Sequence, residues 1–334
     1  MSSHIDKKRL IDVAMGRKTA DLVLKNARIV NVYTHEVTDG TLAIDQGVVA
    51  GIGAYEGRTE RDMGGRYLTP GLIDSHVHIE SSLLSPEQFA RLVVPRGTTS
   101  VVVDPHEIAN VAGLDGIRYM IEAARNIPLD VYFMLPSCVP ATAFENTGAV
   151  LNAAALGELI DDPSVLGLGE VMDYPALVDG EDGLLAKIAL ATDRNKPVDG
   201  HAPMVEGRGL SAYRAAGVET DHECSTLDEM RDRLRLGMRV LIREGSAARN
   251  LSELIRGVDA NTAARCSFCT DDKDPEALLN EGHIDFNVRL AIENGLDALT
   301  AVQLATINAA EGYRLRGKGA LIPGFDADLV VVDD

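Results

Sequence analysis

The sequence predicts an α/β protein: a TIM-type (β/α)8 barrel with a small β-sandwich domain built from the N-terminal and C-terminal segments. Three observations predict it. Eight short apolar runs alternate with helix-like stretches from Leu72 onward. Val- and Ile-rich segments of strand character lie outside that rhythm at both ends of the chain. Histidines and carboxylates recur at the C-terminal ends of the apolar runs, which is where a barrel of this type gathers its chemistry.

Residues 20–32 (ADLVLKNARIVNV) and 41–53 (TLAIDQGVVAGIG) are rich in branched residues and separated by polar turn residues, so they read as antiparallel strands. The barrel strands follow as 72–79, 99–105, 130–137, 165–171, 197–202, 219–224, 239–245 and 266–272. Between them, stretches such as DGIRYMIEAAR (115–125) and STLDEMRDRLRLG (225–237) repeat their apolar positions at helical spacing. After the eighth strand, DFNVRLAIENG and ALTAVQLATINAAEGY continue as helices, and the apolar end of KGALIPGFDADLVVVDD returns to pair with the N-terminal strands. The expected domains are 1–68 for the N-terminal segment and small β domain, 69–316 for the barrel, and 317–334 for the return strand.

A chain of 334 residues that is 46% hydrophobic can bury one large barrel core with an appendage. Its net charge of −19 argues against a nucleic-acid partner, which needs clustered Lys and Arg, and points to a small soluble substrate. No signal-type segment opens the chain and no run nears the length of a bilayer span, so a cytoplasmic protein without membrane contact is the expectation. Cys138, Cys224, Cys266 and Cys269 are too few for a disulfide framework in a chain of this length and read as reduced thiols.

The candidate site is a set of histidines and carboxylates. His76 and His78 stand two apart in GLIDSHVHIE, and residues two apart on a strand face the same way, so two imidazoles can grip one cation. Glu170 closes the run VLGLG, His201 and His222 each follow a brief strand-like run, and Asp271 lies in FCTDD. Four of the eight histidines fall in these places, and all six groups can converge on one rim. An HxH pair alone could be a surface feature; joined to the other four residues at successive strand ends it reads as a metal site. His106 and Glu107, in DPHE after the second strand, are further polar groups on the same rim, although His106 could simply hydrogen-bond a loop and Glu107 could pair with an arginine. Glu244 and Ser246 read as helix caps, and His4, His35 and His283 as structural or exposed.

A rival motif also occurs. Zinc nucleobase deaminases carry H-x-E followed by P-C-x-x-C, and this chain has His78, Glu80, Cys266 and Cys269 in such an order. No proline precedes Cys266 and nearly the whole barrel separates the two pieces, so the CxxC pair is expected to pack the eighth strand.

The segments YLTPGLIDSHVHIESS, DPHEIANVAG and INAAEGYRLRGKGALIPGFDADLVVVDD resemble the metal-dependent amidohydrolase superfamily. Together with GLGEVMDYP, DGHAP, TDHEC, LIREGSAARNL and TDDK they resemble its adenine deaminases over most of the chain. The resemblance implies two divalent metal ions, manganese or iron in preference to zinc. His76 and His78 would hold one ion with Asp271, His201 and His222 the other, and Glu170 would bridge them. It implies hydrolysis of adenine to hypoxanthine and ammonia by a metal-bridged hydroxide that attacks C6, with Asp271 accepting the proton and His106 and Glu107 orienting the base or shuttling protons. Two other readings stand beside it: an amidohydrolase acting on another cyclic amide or aminated heterocycle, and a barrel scaffold without catalysis. Adenine deaminases of this kind continue into a further C-terminal domain, whereas this chain stops at Asp334. Exposed apolar surface and self-association into a homo-oligomer are therefore expected of it.

Overall fold

The computed structural model describes residues 5–142 and 144–333; His4 lies outside them. The chain packs as two compact units, one from residues up to 72 together with those from 297 onward, the other from residues 73–296.

The first unit holds strands β1 (Ala20–Asn31), β2 (Glu36–Asp45), β3 (Val48–Ile52), β4 (Gly57–Asp62) and β5 (Tyr67–Pro70), and receives the terminal strand Leu329–Val332. The expected strand at 41–53 is in fact two. Gln46 and Gly47 adopt left-handed backbone (φ 55 and 77°) and make the two-residue turn that matches strand twist in a tight hairpin. The return strand pairs antiparallel with β5, Val331 opposite Leu68. Pairing joins all six strands of this unit in one sheet, so the hydrogen bonds do not describe the two facing sheets of the expected sandwich. A bulge between Leu24 and Ala27 is the physical reason: it bends β1 so that one edge pairs first with β4 and then with β5. Neither partner was legible. GRTERD in β4 is an exposed, charged run with no apolar alternation.

The second unit carries β6 (Leu72–Val77), β7 (Thr98–Val103), β8 (Asp130–Leu135), β9 (Val165–Val171), β10 (Val198–Gly200), β11 (Thr220–Asp221), β12 (Arg239–Arg243) and β13 (Cys266–Cys269). Five of these form one sheet, in spatial order β6 to β10, and three form another, in order β11 to β13. Two sets of bonds join the sheets. The Glu219 amide donates to the Val198 carbonyl at 2.9 Å, and the Asp271 amide to the His76 carbonyl at 2.9 Å. The result is a closed, TIM-like parallel barrel. Strands such as TTSVVV and CSFC are buried nearly throughout, as expected where both faces of a parallel sheet are covered.

Most strands end two or three residues earlier than the sequence suggests, because the chain leaves the ladder to aim side chains across the rim. His78, His201, His222 and Asp271 all sit just past a strand end. The helices between strands start on local signals: Thr226 and Glu229 form a reciprocal capping box ahead of Leu227–Arg235. No helix among the described residues is long and apolar enough to cross a membrane.

Candidate metal centre

His76 is the penultimate residue of β6 and His78 follows its last. Their Nε2 atoms face each other at 3.0 Å, as two-residue periodicity requires. Asp271 reaches the same point from the end of β13, with Oδ1 3.2 Å from His78 Nε2 and 3.7 Å from His76 Nε2. Glu170, buried near the end of β9, presents Oε1 to His78 Nε2 at 3.3 Å and Oε2 to His222 Nε2 at 3.2 Å and His201 Nδ1 at 2.7 Å. All six expected residues therefore converge. Three donor groups lie within 4.8 Å of one another in each of the sets His76–His78–Glu170, His76–His222–Asp271 and Glu170–His201–His222. His222 stacks on His76 with ring centroids 4.2 Å apart, which packs the two groupings against each other.

Glycine explains how Glu170 gets there. A Cβ on Gly169 would fall 2.1 Å from Asp104 Oδ2, so only glycine lets the buried Asp104 carboxylate accept the Glu170 amide at 2.9 Å. His106 and Glu107 open the helix His106–Ala123 beside this point. His106 Nδ1 is 3.2 Å from Glu170 Oε1, and Glu107 Oε2 is 3.5 Å from His78 Nδ1. The two join the cluster directly, and among the described residues Glu107 pairs with His78 and His106 and with no arginine.

The electrostatics favour positive charge at the centre. Burial, aided by His222 and His78, pushes His76 well below the ordinary imidazole range. Burial acts the same way on His78 but loses to Asp271, Glu107 and Glu170, which hold it well above that range; Glu170 and Glu223 do the same for His222. Against burial, Asp104 and Glu170 raise His106 to about 11. Burial would lift Glu170, yet the four imidazoles against its carboxylate, His106, His201, His222 and His78, keep it well below the carboxylate range, and Asp271 is lowered against burial by His78, His222 and His76. His76 Nδ1 and both His222 ring nitrogens are buried without an aligned hydrogen-bond partner. Facing lone pairs and unpaired nitrogens among carboxylates are what a bound cation satisfies, and a donor set of imidazole and carboxylate without thiolate suits divalent first-row metals. The residues fit such an ion.

Two further residues of this site were not singled out from sequence, although TDHEC and LIREG contain them. Arg243, buried at the end of β12, donates from Nη1 to Asp271 Oδ2 at 2.7 Å and also to Glu223 Oε1, while its Nη2 reaches Glu223 Oε2 at 3.0 Å. The guanidinium thus holds one oxygen of Asp271 and leaves the other facing the histidines. The available signal was an arginine at the end of a buried strand, where a charge must be paired. Burial would raise Glu223, but His222 and Arg243 hold it down at about 2. A carboxylate depressed in the fold contributes stability above its unfolded value of about 4.3, and that contribution disappears as pH falls from there toward about 2. Melting temperature should therefore fall more steeply over that window in the wild type than in Glu223→Gln. Parallel slopes would show the Glu223 contacts to be inert.

The remaining expectations are placed as follows. Glu244 Oε2 accepts the Leu251 amide at the start of helix Leu251–Leu254, and Ser246 Oγ accepts the Asp274 amide at 2.9 Å. Cys266 and Cys269 are fully buried in β13, and burial pushes the Cys266 thiol up to about 12, which suits packing. His35 Nε2 meets Gln303 Oε1 at 3.0 Å. A cavity of about 210 Å³ opens over the cluster, with Met172, Ala247 and Ala248 as its apolar wall and Asp272 on its rim.

An adenine deaminase of Nitratidesulfovibrio vulgaris is 57% identical over 325 residues, which is 97% of this chain and 56% of that protein. One of Clostridium acetobutylicum is 56% identical over 97% of this chain and 57% of its own length. The chain thus spans little more than half the length of the curated relatives it matches. Among solved structures, an L-hydantoinase of Arthrobacter aurescens superposes with a TM-score of 0.70 at 16% identity, covering 93% of this chain and 86% of that one. A crystal structure of an adenine deaminase gives 0.65 at 19%, covering 93% and 89%; both likenesses speak for the fold. The amidohydrolase family model matches residues 67–334, which include every strand of the barrel and every residue of the cluster, and this chain belongs to that metal-dependent family.

Proposed function

We propose that this protein hydrolyses adenine to hypoxanthine and ammonia. The observation that carries the reading is the convergence of His76, His78, Glu170, His201, His222 and Asp271 on one buried point beneath an open cavity. The adenine deaminases 56 and 57% identical over nearly the whole chain support the substrate. The reading includes two divalent ions, manganese or iron in preference to zinc, which His76, His78 and Asp271 on one side and His201 and His222 on the other would hold, with Glu170 able to serve both. Bound divalent ions supply hydroxide near neutral pH and stabilise the charge that develops in the transition state.

The chain's own residues do the rest. Asp271 stays ionised because His78 and Arg243 hold its two oxygens, so it can take a proton from water and pass it to the leaving ammonia. Arg243 spends its donors on Asp271, Glu223 and Asn250, which makes it a strut for the proton acceptor. Glu107 and His106 line the cavity from the first turn of their helix, which supports assigning them to orienting the purine or shuttling protons. Met172, Ala247 and Ala248 offer an apolar wall to a flat heterocycle.

The test is direct. Protein loaded with Mn²⁺ should shift the ultraviolet spectrum of adenine to that of hypoxanthine with release of one ammonia per turnover, and a chelator should abolish this until metal is restored. Turnover of a cyclic amide by the loaded protein, with none on adenine, would overturn the substrate.

A further inference from the structure

We propose that Asp74 and His283, neither of which touches the cavity, form a positioning pair that holds His76 and Asp271 in the geometry the metal site needs. Asp74 lies on β6 and is fully buried. Its Oδ1 accepts the amides of His76 and Thr270, each at 3.1 Å, and its Oδ2 accepts the Thr270 hydroxyl at 2.5 Å. One carboxylate thus ties together the ends of β6 and β13, the two strands that deliver His76 and Asp271.

His283 fixes that carboxylate. It is fully buried just before the helix Ile284–Glu293, with Nε2 3.0 Å from Asp74 Oδ2 and Nδ1 2.9 Å from Thr98 Oγ1 on β7. The same Nε2 also meets Thr270 Oγ1 at 3.4 Å, so each ring nitrogen faces a hydroxyl and the Asp74 carboxylate lies beside Nε2. Phe89 packs against the ring edge-on, with centroids 5.5 Å apart at 85°. Hydrogen bonds on both sides and an aromatic face leave the imidazole one orientation.

The need for such a device is visible one residue further on. Asp271 holds left-handed backbone (φ 57°), an unfavourable conformation for a side chain without an internal partner. Its amide and carbonyl are spent on His76 and on the His78 amide, at 2.9 and 3.2 Å, and the preceding Thr270 is anchored to Asp74 by both amide and hydroxyl. Loosening Asp74 would release the strained turn and the His76 backbone together. A buried, fully bonded Asp–His pair can also serve stability alone. What separates the roles is that these bonds end on the amide of His76 and on the residue before Asp271.

The inference rests on reading the cluster as a metal site, and does not depend on adenine being the substrate. Mn²⁺ is the probe, with free ion measured by its electron paramagnetic resonance signal, so activity is not the readout. Removing outer partners of metal ligands typically weakens binding about 10–100-fold, and His283→Leu is expected in that range. His283→Gln, which keeps a donor toward Asp74, should recover most of the loss. Thr98→Val, a milder change should His283→Leu fail to fold, should weaken binding several-fold. Wild-type Mn²⁺ affinity in His283→Leu or, where that variant does not fold, in Thr98→Val, even with a lowered melting temperature, would overturn the pair's role and leave the metal reading intact. No Mn²⁺ binding by the wild type would overturn the metal reading and this inference with it.

Discussion

Replacing Asp271 by Asn is expected to lower kcat on adenine by about 10²–10⁴-fold, the range associated with loss of a positioned proton acceptor, with a much smaller change in KM. The substitution keeps the shape but replaces an oxygen with an NH2 group that can only donate. Asp271 now has Oδ1 3.2 Å from His78 Nε2 and Oδ2 2.7 Å from Arg243 Nη1. Whichever way the amide turns, its donor meets a nitrogen: Arg243, which also donates, or a histidine whose lone pair is wanted for metal. Arg243 loses one of its two carboxylate partners and retains Glu223. A fall in kcat with little change in KM marks an interaction made in the transition state. Elemental analysis and ultraviolet assays on the same preparation check it. A variant that keeps full metal and turns over within about tenfold of the wild type would remove Asp271 from proton transfer.

Much of the site was legible because short-range rules produce it. The HxH spacing puts His76 and His78 on one face, and strand ends on a parallel barrel share a rim, so Glu170, His201, His222 and Asp271 could be gathered without knowing a single contact. What surrounds them was not legible, since it depends on pairs far apart in the chain. Thr98 meets His283 across 185 residues and Thr270 meets Asp74 across 196, and no local pattern marks either. Arg243 was hidden for a different reason. An arginine after VLI looks like the polar end of a strand until Glu223 and Asp271 are seen to converge on it. Outside the barrel the hairpin at Gln46–Gly47 lacks the Asn-Gly or Asp-Gly signal that would have split 41–53, and β4 is polar because it is an exposed edge.

The cyclic closure of the barrel also depends on these long-range bonds. A parallel bridge between Val77 and Asp271 joins β6 to β13, and the residue that completes the ring is the one proposed to accept the proton. Fold and site are coupled there, so variants at Asp271 need a folding control such as a thermal melt beside each rate.

Glu170 to Gln should have the broader effect: loss of metal as well as of activity. Glu170 faces both halves of the cluster, with Oε1 toward His78 and His106 and Oε2 toward His201 and His222. Gln is nearly isosteric and can keep the bond to the Asp104 region through its unchanged backbone amide, so the barrel should fold. It cannot supply the anion that the proposed pair of cations would share, and its NH2 group would point at imidazole nitrogens proposed as ligands on one side. The loss should exceed the roughly 10–100-fold typical of partners one step removed from a metal, and it should strike both ions together. Glu170→Ala, which also removes the side chain's oxygens, should empty the site further. Metal content per chain, measured by elemental analysis after dialysis against metal-free buffer, is expected to fall from close to two toward zero in both variants, with adenine turnover falling alongside. Retention of one ion would assign Glu170 to a single site, and full content in Glu170→Ala would exclude it from bridging altogether.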